Sequence, residues 1–273
     1  MTEYGVKTEY DNRPVGVFDS GFGGASTLRN MLLELPFERF IYYGDNKNAP
    51  YGDRPEEEIL FLSEAAADFL LHKGVKTLVV ACNTATSASI KLLRQKLDVP
   101  VVSVEPAIKP ACERPGDGKV LMLATAATTR LSRYRALKAR MPDPDRVIDV
   151  GCSGVVERIE RGVTDETAFD DIFSEKLGPY EGMKIDGIVL GCTHYPFIAP
   201  AVARYAAAHF TGECRLYDGN AGTARQLRRV LIRQGIEASP EIKPEPRVEF
   251  FTSGDREEAE PIFRRLLEIP INE

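Results

Sequence analysis

The sequence predicts an α/β fold of two pseudo-symmetric domains with mainly parallel sheets and a cleft between them. Short apolar runs alternate with amphipathic helical segments along the chain. These runs are rich in β-branched residues and lack polar alternation, which is typical of parallel strands buried on both faces. The order of features also repeats, since VGVFDSGFGG (15–24) and KVLMLATAAT (119–128) both place hydroxyl groups after a strand. This alternation favours right-handed crossovers and parallel sheets.

The first half of the chain contains four apolar runs that we predict to be strands. They are 15–18, 39–43, 77–81 and 101–104. Amphipathic periodicity predicts the intervening helices near 25–35 and 56–73, and from the turn after 82 to about 97. Pro55 suits the first turn of the second helix and Gly74 suits its end.

The second half repeats this alternation. Its predicted strands are 119–124, 146–150, 187–191, 215–218 and 247–251. Its predicted helices run from the TAATT segment to 140, within 152–162 and 164–177, and over 200–210, 224–234 and 256–267. No low-complexity linker marks a boundary between the halves.

The composition indicates a globular protein that is not built for nucleic acid or membranes. Of 273 residues, 43% are hydrophobic and 28% are charged, and the net charge is −6. A negative charge without a basic run argues against binding to nucleic acid or anionic lipid. We find no apolar segment long enough to span a bilayer and no apolar core in residues 1–13. The five scattered cysteines then predict reduced thiols in the cytosol.

Two segments of the chain are versions of one another. TLVVACNTAT (77–86) and GIVLGCTHYP (187–196) both lead from an apolar run through a small residue to a cysteine and then to polar groups. Residues after the carboxyl end of a parallel strand face the ligand crevice of an open α/β sheet. We therefore expect Cys82 and Cys192 to face one substrate from two similar halves. Such a pair suits moving a proton from one face of a carbon to the other.

The groups around the two cysteines fit proton transfer. A helix N-terminus after Cys82 would favour its thiolate, and Asn83 and Thr84 can donate hydrogen bonds without adding charge. His194 can hold or relay a proton near neutral pH. A lone cysteine is more often a small buried residue, so the repetition carries the hypothesis. The remaining cysteines and histidines lack this context, and we interpret them as structural or as helix-end residues: Cys112, Cys152, Cys214, His72 and His209.

Two glycine-containing turns are candidate binding segments. DSGFGG (19–24) follows a strand and opens a helix, so its backbone can approach an anion, although its spacing fits neither common nucleotide motif. The alternative is a tight turn in which Asp19 or Ser20 acts locally. PYG (50–52) is either an ordinary turn or a place where the Tyr51 and Gly52 amides hold a carboxylate.

Seven motifs together resemble the aspartate/glutamate racemase superfamily, and within it the glutamate racemases. They are DSGFGG, YYGDNKNAPYGD, ACNTAT, EPA, TAAT, GCTHYP and FTSGD, in the family's order between about residues 15 and 253. The resemblance implies one α/β domain from 1–103 plus 216–273 and a second from 104–215. It also implies interconversion of L- and D-glutamate without pyridoxal phosphate, another cofactor or a metal. The product would serve peptidoglycan synthesis, and the expected assembly is a cytoplasmic homodimer.

The resemblance also assigns roles to residues. Cys82 would take the proton from D-glutamate with help from Asp19, and Cys192 would take it from L-glutamate with help from His194 and Glu160. The implied substrate-binding residues are Asp19, Ser20, Tyr51, Gly52, Asn83, Thr84, Thr128, Thr193 and His194. Since the matching motifs contain no arginine, we expect backbone amides and hydroxyls to hold the substrate carboxylates.

Some segments depart from the family pattern, and several activities are compatible with the motifs. Leu131, CSG (152–154) and YDGNAGTA (217–224) differ from the commoner family pattern, which leaves the finer substrate contacts open. The nearest rival activity is racemisation of aspartate or hydantoins. The sequence also leaves open a hydrolase or C–N lyase with one nucleophilic thiol, a metal or redox module using Cys82, Cys192 and His194, and a regulatory amino-acid-binding protein.

Overall fold

The computed structural model describes residues 9–269, which form two separate parallel sheets covered by helices. The strands are β1 (Val15–Asp19), β2 (Phe40–Gly44), β3 (Thr77–Val80), β4 (Val101–Ser103), β5 (Lys119–Ala124), β6 (Val147–Gly151), β7 (Ile185–Leu190), β8 (Arg215–Tyr217) and β9 (Val248–Thr252). Every pairing between these strands is parallel.

Helices connect and cover these strands. They are α1 (Ala25–Glu34), α2 (Glu56–His72), α3 (Asn83–Lys96), α4 (Ile108–Glu113), α5 (Ala126–Arg130), α6 (Ser132–Lys138), α7 (Val155–Glu160), α8 (Asp170–Leu177), α9 (Ala199–His209), α10 (Asn220–Gln234) and α11 (Arg256–Glu268). Within the described part of the chain, none of them is long and apolar enough to cross a membrane.

The two sheets have matching strand orders. The first is β4-β3-β1-β2-β9 and the second is β6-β5-β7-β8. Reversing the second gives β8-β7-β5-β6, so β3 and β7, the strands that precede the two cysteines, occupy the same place. The predicted fold class is therefore confirmed, including its internal symmetry. The division of the chain at 103/104 and 215/216 stays a prediction, although β8 pairs with β7 and so belongs to the second sheet.

Most of the predicted elements are present, with three differences. The predicted helix ending at 140 is two helices, because Leu131 has an extended backbone (ψ 142°) between α5 and α6. Helix α4 was not predicted, since its six residues are too few to show a period. Helix α10 begins four residues before the predicted 224, at Asn220.

Aromatic rings pack the C-terminal helix against the first sheet. β9 pairs with β2, and the ring of Phe263 on α11 lies 4.5 Å from the rings of both Tyr42 and Phe250. All three side chains are buried. Aromatic packing of this kind adds to the free energy gained by burying the rings. The last part of the chain therefore stabilises the sheet that carries Cys82.

A buried ion pair fixes the edge of the first sheet opposite the cleft. Lys76, just before β3, places Nζ 2.6 Å from Glu38 Oε2, and both side chains are almost fully buried. The same ammonium donates to the Asp11 carbonyl, while Ala238 N–H donates to Glu38. The pair thus connects four separated segments of the chain at the start of β3.

We expect Lys76→Met to lower the free energy of unfolding by about 3–5 kcal/mol, because it leaves the Glu38 carboxylate buried without its cation. Adding Glu38→Gln should recover part of this loss. Urea unfolding followed by circular dichroism measures both changes. Lys96→Met, which breaks an exposed pair with Glu64, serves as the control and should change stability little. A Lys76→Met variant as stable as that control would contradict the expectation.

Candidate active site

The two repeated turns place their cysteines at equivalent positions. Cys82 follows β3 and caps α3, with an extended backbone and with Ala85 N–H donating to its sulfur at 3.4 Å. Cys192 follows β7 and precedes a short 3-10 turn at Tyr195–Ile198. Both side chains are buried. Each strand ends one residue before a small residue, Ala81 or Gly191, and the chain then turns toward the next helical segment.

Both cysteines line one small pocket between the two sheets. Its lining residues are Ser20, Pro50, Tyr51, Gly52, Cys82, Asn83, Thr84, Thr125, Val156, Cys192, Thr193 and His194. No lysine or arginine of residues 9–269 is among them. The structure therefore brings together the predicted cysteines and most of the predicted binding residues.

The environment of Cys82 favours the neutral thiol. Burial, and to a lesser degree the nearby Asp19 carboxylate, raise the pKa of Cys82 to about 12, against the opposing effect of the Ala85 N–H. The thiol lies 3.5 Å from Ser20 Oγ, to which it donates. The helix N-terminus, which we expected to favour the thiolate, is outweighed by burial. In this state Cys82 is a proton donor.

The environment of Cys192 contains a histidine that is hydrogen-bonded on both ring nitrogens. His194 Nδ1 lies 3.6 Å from Cys192 Sγ, and His194 Nε2 lies 2.5 Å from Glu160 Oε1. Burial disfavours the imidazolium, but the hydrogen bonds to Cys192 and Glu160 outweigh it, so the pKa of His194 is raised well above its usual value. The predicted grouping of Cys192, His194 and Glu160 is thus present as a hydrogen-bonded chain.

Asp19 connects the two halves of the site through hydrogen bonds. Its carboxylate accepts from Gly21 N–H at 2.9 Å and from Thr193 Oγ1 at 3.0 Å. Burial raises the pKa of Asp19, while the charge of His194 opposes that shift. Asp19 therefore acts on Cys82 through its charge and on the second half through a hydrogen bond.

Three of the predicted binding residues are hydrogen-bonded within the protein. Thr84 and Thr128 form, with Thr125, a triangle of hydroxyl groups 3.0–3.1 Å apart that joins α3 to α5. The Tyr51 hydroxyl donates to Asp45 at 2.6 Å.

Asn83 differs from these groups because its Oδ1 is buried without a protein partner. Leaving such an oxygen unpaired costs free energy. The orphan acceptor at the pocket wall is therefore a place for a donor on a bound molecule.

Several site residues were not singled out from the sequence. Thr125 lines the pocket, Asn46 holds Glu160, and Ser26 Oγ donates to the Thr193 carbonyl at 2.7 Å. Thr125 and Asn46 lie within recognised motifs, and Ser26 lies just after one. Each has a contact with a residue more than forty positions away, which only the tertiary structure places.

The remaining cysteines and histidines lie outside the pocket. Cys112 and Cys152 are buried and Cys214 is partly buried. His72 is bonded to the Asp68 carbonyl of its own helix, and His209 pairs with Glu181. No group of three or more His, Cys, Asp or Glu side chains within residues 9–269 could hold a metal ion.

Comparison with known proteins identifies the class of enzyme. The family model described as Asp/Glu/Hydantoin racemase matches residues 38–227, more than half of the chain. Two thiols in one pocket and this match define an amino-acid racemase. The chain belongs to the Asp/Glu/Hydantoin racemase family, as the resemblance of its motifs implied.

Individual relatives agree with this assignment over most of the chain. A glutamate racemase of Clostridium perfringens is 39% identical over 266 residues, which is 97% of this chain and all of that protein. The glutamate racemase of Francisella tularensis in complex with D-glutamate has a TM-score of 0.80 at 26% identity, covering 94% of both chains. The Escherichia coli glutamate racemase in complex with L-glutamate and an activator has a TM-score of 0.77 at 31% identity, covering 93% of this chain and 95% of that one.

The raised pKa of Cys82 predicts how that thiol reacts with iodoacetamide. In a Cys192→Ser variant, the alkylation rate of Cys82 should rise about tenfold per pH unit from about pH 7 to about pH 10 without levelling off, because only the thiolate reacts. Peptide mapping by mass spectrometry follows Cys82 separately from the other cysteines. A plateau below about pH 9 would show that the thiolate forms far more easily than burial allows.

Proposed function

We propose that this chain interconverts L- and D-glutamate by proton transfer between two thiols and the α-carbon. The observation that carries the proposal is that Cys82 and Cys192 line the same pocket from two equivalent strand ends. A racemase must remove a proton from one face of a carbon and deliver one to the other. Two acid/base groups on opposite walls meet this requirement without moving either the substrate or the protein chain.

The raised pKa of Cys82 fits one direction of this reaction. Cys82 is a thiol, since its pKa is raised to about 12, while Cys192 faces the His194 imidazole, whose pKa is raised. Cys192 as thiolate would then take the α-proton of L-glutamate and Cys82 would deliver a proton to the opposite face. From D-glutamate the roles reverse. Asp19 acts on Cys82 through its charge, and His194 with Glu160 supports Cys192.

The pocket supplies the help that a weakly acidic α-proton needs. Its small volume excludes most water, and fixed donors in such a space stabilise developing negative charge better than water does. The hydroxyls of Ser20, Thr84, Thr128 and Thr193 and the backbone of Tyr51 and Gly52 are the groups we assign to the substrate carboxylates. Asn83 Oδ1, which lacks a protein partner, is assigned to the α-ammonium, and the neighbouring His194 completes the site.

The relatives support glutamate as the substrate. Two related glutamate racemase structures contain D-glutamate and L-glutamate, respectively. Glutamate is therefore favoured over aspartate. We further propose that the product serves peptidoglycan synthesis, that the chain works in the cytoplasm as a homodimer, and that catalysis needs no cofactor or metal. The predicted division into a domain of 1–103 with 216–273 and a domain of 104–215 is part of the same proposal.

Incubation with each isomer of glutamate in deuterium oxide, without added cofactor, tests the reaction. Deuterium should enter the α-carbon of the product in both directions. Cys82→Ser and Cys192→Ser should each lower kcat by roughly a thousandfold or more, since each removes one of two obligatory proton-transfer groups. Cys214→Ser, outside the pocket, is the matched control and should keep full activity.

Two results would contradict this proposal. One is racemisation that persists in both single variants. The other is a covalent thioester with substrate on only one cysteine, which would support a hydrolase with a single nucleophile instead.

Gly23 is a second test, because it lies against the second half of the site. A Cβ at Gly23 would come closer than 3.0 Å to His194 and to Thr193 Oγ1. We expect Gly23→Ala to lower kcat/KM by about a hundredfold, since small displacements of catalytic groups have effects of this size. Gly222→Ala on α10, where a Cβ meets nothing within 4 Å, should leave kcat/KM unchanged. Equal activity of both variants would refute the tight fit at Gly23.

A further inference from the structure

A chain of hydrogen bonds runs from the last strand of the first sheet to the histidine of the second. Thr252 Oγ1 donates to Asn46 Oδ1 at 2.8 Å, and Asn46 Nδ2 donates to Glu160 Oε2 at 3.0 Å. The other carboxylate oxygen, Oε1, contacts His194 Nε2 at 2.5 Å. His194 Nδ1 then faces Cys192 at 3.6 Å. Asn46 is therefore the residue that links the first sheet to the Glu160 carboxylate.

The amide of Asn46 is suited to this position because it both accepts and donates. Its oxygen takes the Thr252 hydroxyl proton, so its NH₂ group must point at Glu160. Thr252 is in turn fixed by Gly254 N–H, which donates to its hydroxyl oxygen at 3.0 Å. A hydrogen bond to an ionised carboxylate is stronger than one between neutral groups. Asn46 thus fixes one oxygen of Glu160 and leaves the other for the imidazole.

Glu160 crosses from one half to the other. It lies at the end of α7, among the elements of the second sheet, but it accepts from Phe22 N–H at 2.7 Å and from Asn46, which both belong to the first. A Cβ on Gly21 would come within 3.0 Å of this carboxylate. The carboxylate is therefore held against first-half backbone, and its position depends on the halves being together.

We infer that Asn46 is a positioning residue that aims Glu160 at His194 and so makes the contact between the Glu160 carboxylate and the imidazole depend on closure of the two halves. Separation of the halves removes the Asn46 and Phe22 donors from Glu160. The carboxylate is then free to leave the imidazole, and His194 loses the partner that favours its proton. The catalytic consequence of this step rests on the proposed racemase function, but the effect on His194 does not.

Few other charged groups lie near the contact between Glu160 and His194. Asp19 is close enough to act on both His194 and Glu160 through its charge. Asp45, next in sequence to Asn46, accepts hydrogen bonds from Tyr51, Asn48 and Ser253. A substitution at Asn46 removes neither of these two carboxylates.

The chain's histidines allow a direct measurement. It contains three, His72, His194 and His209, so a His72→Gln/His209→Gln background leaves His194 as the only imidazole. Its pKa is then read from an NMR titration of the ring without any substrate. In this background Asn46→Ala should lower the pKa of His194 by about one unit or more, because Glu160 is no longer held against the ring.

A second variant separates positioning from a general structural effect. Asn46→Asp has nearly the same shape, and the adjacent Glu160 carboxylate raises the pKa of the new carboxyl, which favours a shared proton between the two. This variant should leave the pKa of His194 at or above its wild-type value. Asn48→Ala, in the same turn but bonded to Asp45, is the matched control and should not change the His194 titration.

Activity on glutamate supplies the catalytic readout. Asn46→Ala should lower kcat about tenfold with KM within about twofold, because the residue acts on His194 and not on the substrate. An unchanged His194 titration in Asn46→Ala, or an equal downward shift in Asn46→Asp, would overturn the inference. An inactive wild-type protein would instead refute the proposed function, since the titration is independent of glutamate. Should Asn46→Ala fail to fold, Thr252→Val removes the hydroxyl that orients the Asn46 amide; it should lower the pKa of His194 in the same direction, and an unchanged titration would overturn the inference.

Discussion

The site depends on polar contacts that hold two separately formed sheets against each other around a small space. Ser26 and Asp19 of the first half bond to Thr193 of the second, while Glu160 of the second bonds to Phe22 of the first. Each contact joins a segment that follows a strand end. Because hydrogen bonds need close geometry, these contacts fix the distance between the walls. The position of each thiol is therefore set by the opposite half as much as by its own.

The repeated strand order explains how such a pocket arises from a single chain. β3 and β7 occupy equivalent places in their sheets, and parallel strands present their carboxyl ends at one edge. Two such edges that face each other put equivalent turns on opposite walls. The turns differ in their partners, however, since Cys82 is followed by Asn83 and Cys192 by Thr193 and His194. The architecture is symmetric while the electrostatics are not.

The sequence was sufficient for the fold class and for the pairing of Cys82 with Cys192, because periodicity and repetition are local signals. It was insufficient where tertiary contacts decide. Leu131 interrupts a helix that periodicity predicted as continuous. At Cys82, burial raises the pKa of the thiol by more than the helix N-terminus lowers it. Asn46 could not be assigned a role either, since its partners Glu160 and Thr252 are 114 and 206 positions away.

The unequal environments of the two thiols cannot make kcat/KM of a racemase differ between the two enantiomers. Enantiomers have equal free energies, so kcat/KM must be the same in both directions, whatever the resting protonation of Cys82 and Cys192. The asymmetry can only decide which enantiomer binds to an enzyme whose thiols are already in the required protonation states. It also decides which thiol must regain or lose a proton between turnovers. His194 and Glu160 stand beside one thiol and Asp19 acts on the other. These groups would therefore govern the return step as well as the chemical step, which gives a physical reason for unlike partners on a symmetric scaffold.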